Sequence, residues 1–391
     1  MRILLSNKFY YRRGGDCVCT LNLEQLLKDH VHETAVFAMQ YHENLATPWD
    51  RYFPSEIRFS PGIGMFEAFM RPFGTSEVKR KFTKLLDDFR PDVVHLNNIH
   101  TQLSPVIAEI AHKRGIKVIW TLHDYKLLCP RYDCLRNGES VCEDCFTDKH
   151  KVLEYNCMKN SKVASVIAYK EAEKWHRARL EACTDKFICP SQFMADKMAQ
   201  GGFAPDKLVT LCNFIDTAKC LRKDYSERED YYCFIGRISH EKGVRTLVEA
   251  ANRLPYKLKI IGGGPLEDEM KALAHGNIEF VGFKQWDEIK EIAGKARFSV
   301  IPSEWYENNP VSVIEALCLG TPVLGARIGG IPELIEENVN GMTFVSGDAD
   351  DLKNKIQKMF DTGFDYEKIA ETSQHKYDAE SYYKRIMELY K

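Results

Sequence analysis

Two carboxylates flank the start of an apolar segment in the C-terminal half of the chain. Glu307 and Glu315 lie eight positions apart in the run WYENNPVSVIEAL. Between them, Asn309 is predicted to cap a helix and Pro310 to occupy its first turn, where proline loses no hydrogen bond. The residues that follow are apolar on nearly every face, which is typical of a buried helix. A carboxylate inside such a helix, at Glu315, is costly unless a hydrogen bond satisfies it.

The start of this predicted helix is suited to hold an anion. The first backbone N–H groups, at Val311, Ser312 and Val313, would have no partner in the helix and would lie at the positive end of its dipole. Two cations in the run GRISHEKG, Arg237 and Lys242, add positive charge. Together these groups would neutralise a diphosphate without a metal ion.

Carboxylates beside such an anion site have natural partners, because they accept hydrogen bonds from neighbouring hydroxyls of a sugar or ribose. A diphosphate flanked by two polyols is a nucleotide sugar. We therefore predict that Glu307 holds the sugar and Glu315 the ribose. The spacing alone leaves two alternatives open, since Glu307 could instead favour the helix dipole and Glu315 could pair with a buried arginine.

Length and composition bound the class of protein. The chain has 391 residues, of which 44% are hydrophobic and 28% charged, which suggests two globular domains. Its formal net charge of -2 argues against a nucleic-acid partner. No apolar run is long enough to span a bilayer, and the first one is too short for a signal peptide. We therefore expect a cytoplasmic protein whose thirteen cysteines are mostly not in disulfides.

Short β-rich runs alternate with helical runs in both halves of the chain, which predicts an α/β fold of two doubly wound, Rossmann-like domains. The predicted strands are RILLS, AVFAM, DVVHLN, KVIWTL and KFICPS, then YYCFIG, LKIIGGG, IEFVG, FSVIPS and PVLGA. Predicted helices include Thr20–Lys28, Val78–Phe89, Ser104–Arg114 and Glu171–Glu181. The polar segment TAKCLRKDYSERED is interpreted as an interdomain linker.

The predicted boundaries are an N-terminal domain at 1–213 and a linker with a C-terminal domain at 214–376, with helix 377–391 packing back on the first domain. Two such domains would face a central cleft, where the carboxyl ends of both sheets bind ligands. The residues that could do chemistry all follow predicted strands: Gly14, Gly15, His123, Gly236, Gly263 and Glu307.

The motifs resemble those of a known family. ENNPVSVIE is similar to the E-x7-E motif of retaining glycosyltransferases of the GT-B fold, in glycosyltransferase family 4 (GT4, glycosyl transferase group 1). The resemblance covers most of the chain. It continues in GRISHEKG, LKIIGGGPLEDEM, LGTPVLGARIGGIPELI and NGMTFVSGDADDL, and in RRGGD, TLHD, CPSQF and CNFID of the first half.

The resemblance implies roles for individual residues. Arg237 and Lys242 would bind the diphosphate and stabilise charge on the departing nucleotide, Glu307 would bind sugar hydroxyls, and His123 would lie beside the donor sugar. The other donor contacts would be Gly14, Gly15, Gly236, Gly263, Phe283, Asn308, Asn309, Pro310, Val311 and Glu315. The family is metal-independent, so no catalytic cofactor is expected. A structural histidine and a tight turn at the glycines remain the open alternatives. The acidic run Asp348–Asp350 imitates the metal-binding D-x-D motif of another glycosyltransferase class, but it precedes LKNKIQKMF and is predicted to cap a helix.

The cysteine-rich insert at 129–157 raises a separate possibility. Cys142 and Cys145 form a C-x2-C pair with further cysteines nearby, which fits a four-thiolate zinc site. Relatives in the family resemble this insert but usually lack the cysteine at position 134. The resemblance therefore implies Cys129, Cys142, Cys145 and Cys157 as the ligands of a structural zinc ion. Unligated thiols in a loop are the alternative.

The acceptor is the least defined part of the function. The stretch MFEAFMRPFGTSEVKRKFTKLL mixes Phe66, Phe69 and Phe73 with basic residues, and could rest on an anionic membrane or be a solvated helix. We expect a UDP- or GDP-linked donor and a glycan or lipid-linked acceptor, with peripheral contact at the inner face of the plasma membrane. The alternatives are a nucleotide-sugar epimerase, a phosphorylase and a catalytically silent binding protein.

Overall fold

The computed structural model describes residues 1–57 and 63–391, with only the backbone described at residues 63–66. The described chain forms two compact units. Unit 1 comprises Met1–Cys212 and Tyr383–Lys391, and unit 2 comprises Asn213–Tyr382.

Unit 1 is built on a six-stranded parallel sheet with the order β2-β1-β3-β4-β7-β8. A two-stranded antiparallel sheet, β5-β6, lies in the cysteine-rich insert. The strands are β1 (Arg2–Ser6), β2 (Glu33–Phe37), β3 (Val93–Leu96), β4 (Lys117–Thr121), β5 (Leu135–Arg136), β6 (Ser140–Val141), β7 (Lys186–Cys189) and β8 (Leu208–Thr210). The helices are α1 (Gly15–Asp29), α2 (Ile63–Met70), α3 (Ser76–Phe89), α4 (Val106–Lys113), α5 (Lys151–Glu154), α6 (Lys162–Lys174), α7 (Arg177–Ala182) and α8 (Gln192–Gln200).

Unit 2 repeats the architecture with a six-stranded parallel sheet of order β11-β10-β9-β12-β13-β14. Its strands are β9 (Tyr231–Ile235), β10 (Lys257–Ile261), β11 (Ile278–Gly282), β12 (Ser299–Ile301), β13 (Val323–Ala326) and β14 (Gly341–Phe344). Its helices are α9 (Val244–Ala251), α10 (Glu267–Leu273), α11 (Trp286–Lys295), α12 (Val311–Cys318), α13 (Ala349–Asp361) and α14 (Tyr366–Lys376), followed by α15 (Ala379–Tyr390), whose C-terminal part belongs to unit 1.

The predicted α/β, doubly wound class is confirmed, because parallel strands alternate with helices in both units. One predicted helix is wrong as drawn. The segment Glu171–Glu181 is divided between α6 and α7, with Trp175 and His176 outside both. The buried Trp175 side chain donates its indole N–H to the carbonyl oxygen of Pro72, which holds the chain at the break.

The polar segment after residue 216 packs on unit 2 through an arginine. The half-buried Arg228 donates to the carbonyl oxygens of Gly294 at 2.6 Å and Gly320 at 2.8 Å and to the hydroxyl of Thr321 at 2.8 Å. These acceptors lie just after or at the end of α11 and α12, where carbonyl groups lack helical partners. The arginine therefore ties the segment to two helix ends.

Replacing Arg228 with alanine should lower the free energy of unfolding of unit 2 by about 3 kcal/mol, because several charge-assisted hydrogen bonds are lost at once. Chemical denaturation followed by circular dichroism measures this. Arg253→Ala is the control, because Arg253 pairs with Asp350 at the surface and its loss should cost below about 1 kcal/mol. Equal losses in the two variants would contradict the role given to Arg228.

The C-terminal helix contacts the sheet of unit 1. The hydroxyl of Tyr390 lies 2.5 Å from Nδ1 of the buried His95 on β3, and the hydroxyl of Tyr383 lies 2.8 Å from Nε2 of His32. Tyr383 also stacks on His30, with ring centroids 3.5 Å apart. These contacts explain why the chain end belongs to unit 1.

The stretch considered for membrane contact is only partly described, because the side chain of Phe66 lies outside the described residues. Arg71 is buried and donates to the carbonyl oxygen of Ser55, and Lys81 donates to that of Phe53. Phe82 is also buried, so the apolar face of α3 packs inward. No helix in the described part of the chain has the length and apolar character to cross a membrane.

Candidate functional site

The predicted carboxylate and one predicted cation meet at the carboxyl end of the sheet in unit 2. Glu307 follows β12 and Lys242 follows the neighbouring strand β9. Nζ of Lys242 donates to Oε1 of Glu307 at 2.6 Å, and the hydroxyl of Ser303 donates to the same oxygen at 2.8 Å. Both hydrogen bonds go to one carboxylate oxygen, Oε1.

Electrostatics keep Glu307 charged although it is buried. Burial disfavours the carboxylate, but the ammonium group of Lys242 and the hydrogen bonds outweigh it, so the pKa of Glu307 lies below its ordinary value. Lys242 also lies over the ring of Trp305, 5.0 Å from the centroid. The pair is therefore a preorganised, charged element. Because Lys242 donates to Glu307, a bound diphosphate would share the ammonium group with this carboxylate.

A second predicted cation has no protein partner. Arg237 is exposed directly after β9, and within the described residues it makes no hydrogen bond or ion pair. An exposed guanidinium whose N–H groups are unused is suited to donate two parallel hydrogen bonds to one phosphate.

A left-handed glycine brings the Lys242 turn against β12. Gly243 has φ +64°, and a Cβ there would overlap the carbonyl oxygen of Pro302. Only glycine combines this conformation with this approach. Gly243, the last residue of the run GRISHEKG, therefore allows the turn that places Lys242 beside the segment carrying Glu307.

The start of α12 differs from the prediction. The helix begins at Val311 with Pro310 as its N-cap in an extended conformation, so Asn309 does not cap it. The side chain of Asn309 instead accepts from the backbone N–H of Asn213 at 3.0 Å, and its carbonyl oxygen accepts from the side chain of Asn213 at 2.9 Å. The predicted cap was wrong because a distant backbone group takes the side-chain oxygen.

The anion site at this helix start is smaller than predicted. The N–H of Val313 donates to the carbonyl oxygen of Pro310 at 3.1 Å, so it is not available to a ligand. Val311 and Ser312, both half-exposed, occupy the first positions of the helix, whose N–H groups have no intrahelical acceptor. Asn308, half-exposed, lies beside them.

The turn at Gly329 supports Glu307 from the other side. The N–H of Gly330 donates to the carbonyl oxygen of Glu307 at 2.7 Å. Gly329 has φ +59°, and a Cβ there would overlap the same carbonyl oxygen. Any larger residue at position 329 must therefore displace the backbone of Glu307.

Gly329→Ala should lower the free energy of unfolding by about 1–3 kcal/mol and weaken binding of an active-site ligand by about tenfold. Chemical denaturation and titration calorimetry measure the two effects. Gly363→Ala is the matched control, because nothing lies within 4 Å of a Cβ at that position and its φ is not left-handed. A Gly329→Ala protein that behaves like this control would show that the turn does not hold Glu307.

Glu315, on α12, is a carboxylate without a partner. It is half-buried, and in the described part of the chain it makes no hydrogen bond or ion pair through its side chain, so the alternative of a buried arginine partner is not met. Burial raises its pKa from the ordinary value to about 7. A carboxylate kept in such surroundings is costly, which is typical of a residue that serves a ligand.

The remaining predicted donor contacts in unit 2 have varied surroundings. The N–H of Gly236 donates to Ile261 at 3.0 Å, and the carbonyl oxygen of Gly263 accepts from Ile238 at 3.0 Å. Phe283 is 78% exposed after β11. The acidic run at Asp348 caps α13, as predicted, because the Asp348 side chain accepts from the N–H groups of Asp350 and Asp351.

Unit 1 gathers its own predicted residues at the carboxyl ends of β1, β3 and β4. Nε2 of His123 lies 2.9 Å from Oδ1 of Asn97, and burial lowers the pKa of His123, against the opposing effect of Asp16. Asp16 in turn accepts from the side chain of Asn98 at 3.2 Å. Helix α1 begins at Gly15, with Gly14 as its cap, and a Cβ at Gly15 would meet no atom within 4 Å.

The four cysteines predicted to bind zinc lie near one another: burial raises the pKa of Cys145, and so would negative charge on Cys129, Cys157 or Cys142. Within residues 1–57 and 63–391, no three Cys, His, Asp or Glu side chains are grouped so that they could hold a metal ion. Cys129 forms its hydrogen bond with Cys134, which the prediction left out. Cys145 and Cys157 pack with Val152 in an apolar cluster.

The last of the four predicted ligands, Cys142, faces the Arg136 guanidinium at 4.0 Å. Each predicted ligand also has another neighbour, and the zinc site stays a prediction. Metal analysis of the purified protein tests that prediction independently.

Sequence reasoning missed the residues that orient the predicted ones. Ser303 and Trp305 contact Glu307 and Lys242, while Asn97 and Asp16 surround His123. Ser303 and Trp305 do lie in the same run as Glu307, so their proximity in sequence was a signal. Asn97 gave none, because it depends on the adjacency of β3 and β4.

Two parallel α/β units with charged side chains at strand ends have the architecture of the GT-B fold. Family models match nearly the whole chain: "Glycosyltransferase Family 4" at residues 13–219 and "Glycosyl transferases group 1" at residues 221–376. The chain belongs to glycosyltransferase family 4. The resemblance found in the motifs is thereby confirmed.

Relatives and solved structures agree with this assignment. An uncharacterised 42.6 kDa protein in the cps region of Klebsiella pneumoniae is 24% identical over 359 residues, 85% of this chain and 87% of that protein. The O-antigen biosynthesis glycosyltransferase WbnH of Escherichia coli is 30% identical over 220 residues, 53% of this chain and 61% of that protein. Several other relatives are matched over half of their own length or less.

A crystal structure of Anabaena Alr3699/HepE in complex with UDP has a TM-score of 0.66 to this chain at 16% identity, and the match covers 99% of both chains. This likeness confirms the predicted GT-B fold.

Proposed function

We propose that the chain is a retaining, metal-independent glycosyltransferase that moves a sugar from a nucleotide-diphosphate sugar to a glycan or lipid-linked acceptor. The observation that carries the proposal is the arrangement around the start of α12. A buried, charged Glu307–Lys242 pair lies on one side of it and the unpartnered carboxylate of Glu315 on the other. These groups match the three parts of such a donor, which are a sugar, a diphosphate and a ribose.

The sugar is assigned to Glu307. Its Oε1 is held by Lys242 and Ser303, which leaves Oε2 to accept a sugar hydroxyl in a fixed direction. Because both supports come from strand ends of the same sheet, the carboxylate needs little reorganisation when the donor binds.

The diphosphate is assigned to Arg237, Lys242 and the first N–H groups of α12. Negative charge builds on the departing nucleotide as the bond to the sugar breaks, and fixed cations and N–H groups stabilise that charge. The positive groups named here supply this without a divalent ion. The ribose is assigned to Glu315, whose carboxylate gains the hydrogen bonds it lacks in the structure.

In unit 1, His123 and the turn at Gly14 and Gly15 are proposed to act on the donor as well. His123 is held by Asn97, which fixes the ring orientation. Gly15 offers open space above its backbone, so a ligand can approach the start of α1 closely.

The relatives suggest which donor and process to test first. The HepE structure contains UDP, and WbnH is named for O-antigen biosynthesis. We therefore propose a UDP-linked sugar, with a GDP-linked sugar as the second choice, and a role in cell-surface polysaccharide synthesis. The proposed location is the cytoplasm, at the inner face of the plasma membrane.

A transfer assay tests the proposal. The full chain is incubated with UDP-, GDP-, ADP- or dTDP-linked sugars and a panel of aryl glycosides, with EDTA present, and products are identified by mass spectrometry and NMR. The proposal expects one nucleotide to support transfer, with the anomeric configuration of the donor kept in the product. Inversion would overturn the retaining mechanism, and interconversion of the donor sugar without transfer would identify an epimerase.

A further inference from the structure

Unit 1 contains a cavity that the donor site does not use. It has a volume of about 290 Å³ and lies between the loop after β3, the cysteine-rich insert, and helices α6 and α7. Its walls include His100, Lys126, Phe146, Lys149, Trp175 and Arg177. We call it the insert pocket. Its size is at the lower end of the range for small-molecule sites, which fits one monosaccharide unit.

The floor of the insert pocket is a buried polar network. Nζ of Lys126 donates to Oε2 of Glu171 at 2.9 Å and to the carbonyl oxygen of Pro130 at 2.6 Å. Oε1 of Glu171 accepts from the N–H and the hydroxyl of Thr101 at 3.2 and 3.3 Å. Lys126 and Glu171 thus neutralise each other at fixed positions, and a third proton of Lys126 remains for a ligand.

Two residues of the loop beside the pocket have strained backbone conformations. Thr101 and Ser104, in the loop that lines the pocket, have φ angles of +63° and +68°. Non-glycine residues adopt this conformation only where their surroundings impose it, and such positions concentrate at ligand sites. Here Glu171 fixes Thr101, and the hydroxyl of Ser104 donates to the carbonyl oxygen of Pro72 at 2.8 Å.

The charges around the pocket favour an anion. Lys126 is balanced by Glu171, and Arg177 is balanced in part by Glu181 at 3.0 Å. Lys149 donates to the carbonyl oxygens of Leu127, Leu128 and Cys145, and in the described part of the chain no carboxylate pairs with it. Burial lowers the pKa of Lys149, and its positive charge is solvated by these carbonyl oxygens but not neutralised by a carboxylate of the described residues.

The aromatic walls favour a sugar ring. Trp175, Phe146 and Phe203 line the cavity, and the C–H faces of a sugar ring pack on such surfaces. Thr147 and His176, both exposed, add polar groups that exchange hydrogen bonds with hydroxyls. Lys126, in the wall of the pocket, lies three residues after His123 in the sequence, and His123 is proposed to act on the donor sugar.

We infer that the insert pocket binds an anionic sugar unit of the acceptor, a ring that carries a carboxylate or a phosphate. This inference rests on the proposed function for the identity of the ligand as an acceptor, but the pocket and its charge do not depend on unit 2. The cysteine-rich insert then forms one wall of an acceptor site.

Ligand-observed NMR and calorimetry on the full chain, without nucleotide, test the inference with three probes. Methyl glucuronide and methyl glucoside have the same ring and differ only in the charge at C6, and glucose 1-phosphate carries a phosphate instead. We expect at least one of the two anionic probes to bind at least tenfold more tightly than methyl glucoside. The tighter of the two shows whether the pocket prefers a carboxylate or a phosphate. Equal affinity for all three would overturn the anionic assignment, and no binding would overturn the pocket as a sugar site.

Variants locate the binding. Arg177→Gln removes a cation that is 47% exposed and should fold normally, and it should weaken the anionic probe three- to tenfold. Lys149→Gln should weaken it more, with thermal unfolding showing whether the insert stays folded. Lys162→Gln, an exposed lysine at the start of α6 that does not line the pocket, is the control.

If Arg177→Gln and Lys162→Gln bind the anionic probe alike, the pocket is not where it binds, and the inference is overturned. Nucleotide affinity measured on the same proteins separates the two proposals. A chain that binds the anionic sugar but no nucleotide would retain the pocket and lose the proposed donor site.

Discussion

Lys242→Met should lower donor turnover by about 10²- to 10³-fold, because it removes both a phosphate partner and the hydrogen bond that fixes Glu307. The nucleotide sugar that supports transfer in the wild-type protein is the substrate for this measurement. A loss confined to KM would contradict the role of Lys242 in stabilising the leaving group, since uniform binding alone leaves kcat unchanged.

The same variant should be destabilised in a pH-dependent manner. In the wild-type protein the pKa of Glu307 is lowered, so its pairing stabilises the fold above the ordinary glutamate pKa and loses this effect as pH falls through the lowered value. Without Lys242, burial is opposed only by the remaining hydrogen bonds, so the variant is weakened most where Glu307 is charged. We expect a deficit of about 3 kcal/mol at pH 8 that shrinks toward pH 4, measured by chemical denaturation.

Lys295→Met is the matched control for this prediction. Lys295 is 28% exposed, close to the 25% of Lys242, and pairs with Glu227 at 3.0 Å. Its partner is 57% exposed, whereas Glu307 is 10% exposed. Only the buried partner is left without compensation, so the control should change stability by below about 1 kcal/mol at every pH.

Glu315→Gln should abolish a pH dependence of both stability and nucleotide binding. The folded-state pKa of Glu315 is raised to about 7, so the folded protein binds the extra proton between the ordinary value and pH 7. Stability must therefore fall as pH rises through this window. The free energy of unfolding of the Gln variant, relative to that of wild type, should increase by about 2 kcal/mol from pH 5 to pH 8, as measured by chemical denaturation.

Nucleotide affinity should change in the opposite sense. A charged carboxylate accepts both ribose hydroxyls, so wild-type affinity should increase between pH 6 and pH 8, while the Gln variant should be pH-independent and about 10²-fold weaker at pH 8. Glu367→Gln, on the exposed face of α14, should reproduce the wild-type behaviour in both measurements. Identical pH profiles for Glu315→Gln and wild type would contradict the ribose assignment.

The fold class could be predicted because the alternation of apolar strands and helices is a local pattern. The meeting of Lys242 and Glu307 could not be derived from that pattern, because it depends on β9 lying next to β12 in the sheet. They were expected in one site because both follow predicted strands, and the resemblance to the family agreed with this. Their direct hydrogen bond, which changes how Lys242 can meet a phosphate, was not predicted at all.

The errors share one physical cause, which is competition from distant partners. Asn309 has the composition of a helix cap, but Asn213 takes its side-chain oxygen. The helical pattern of Glu171–Glu181 is continuous, but Trp175 donates its indole N–H to the carbonyl oxygen of Pro72 at the break. The insert pocket was not predicted either, because its walls come from segments that are far apart in the sequence.

The most direct test of the account is a calorimetric screen of UDP-, GDP-, ADP- and dTDP-linked sugars against the wild-type protein and Glu315→Ala, with EDTA present. The account predicts that one nucleotide binds selectively, that EDTA has no effect, and that the substitution weakens binding by about 10²-fold. No binding by any of the four, or binding that Glu315→Ala leaves unchanged, would contradict the assignment of the donor site to the start of α12.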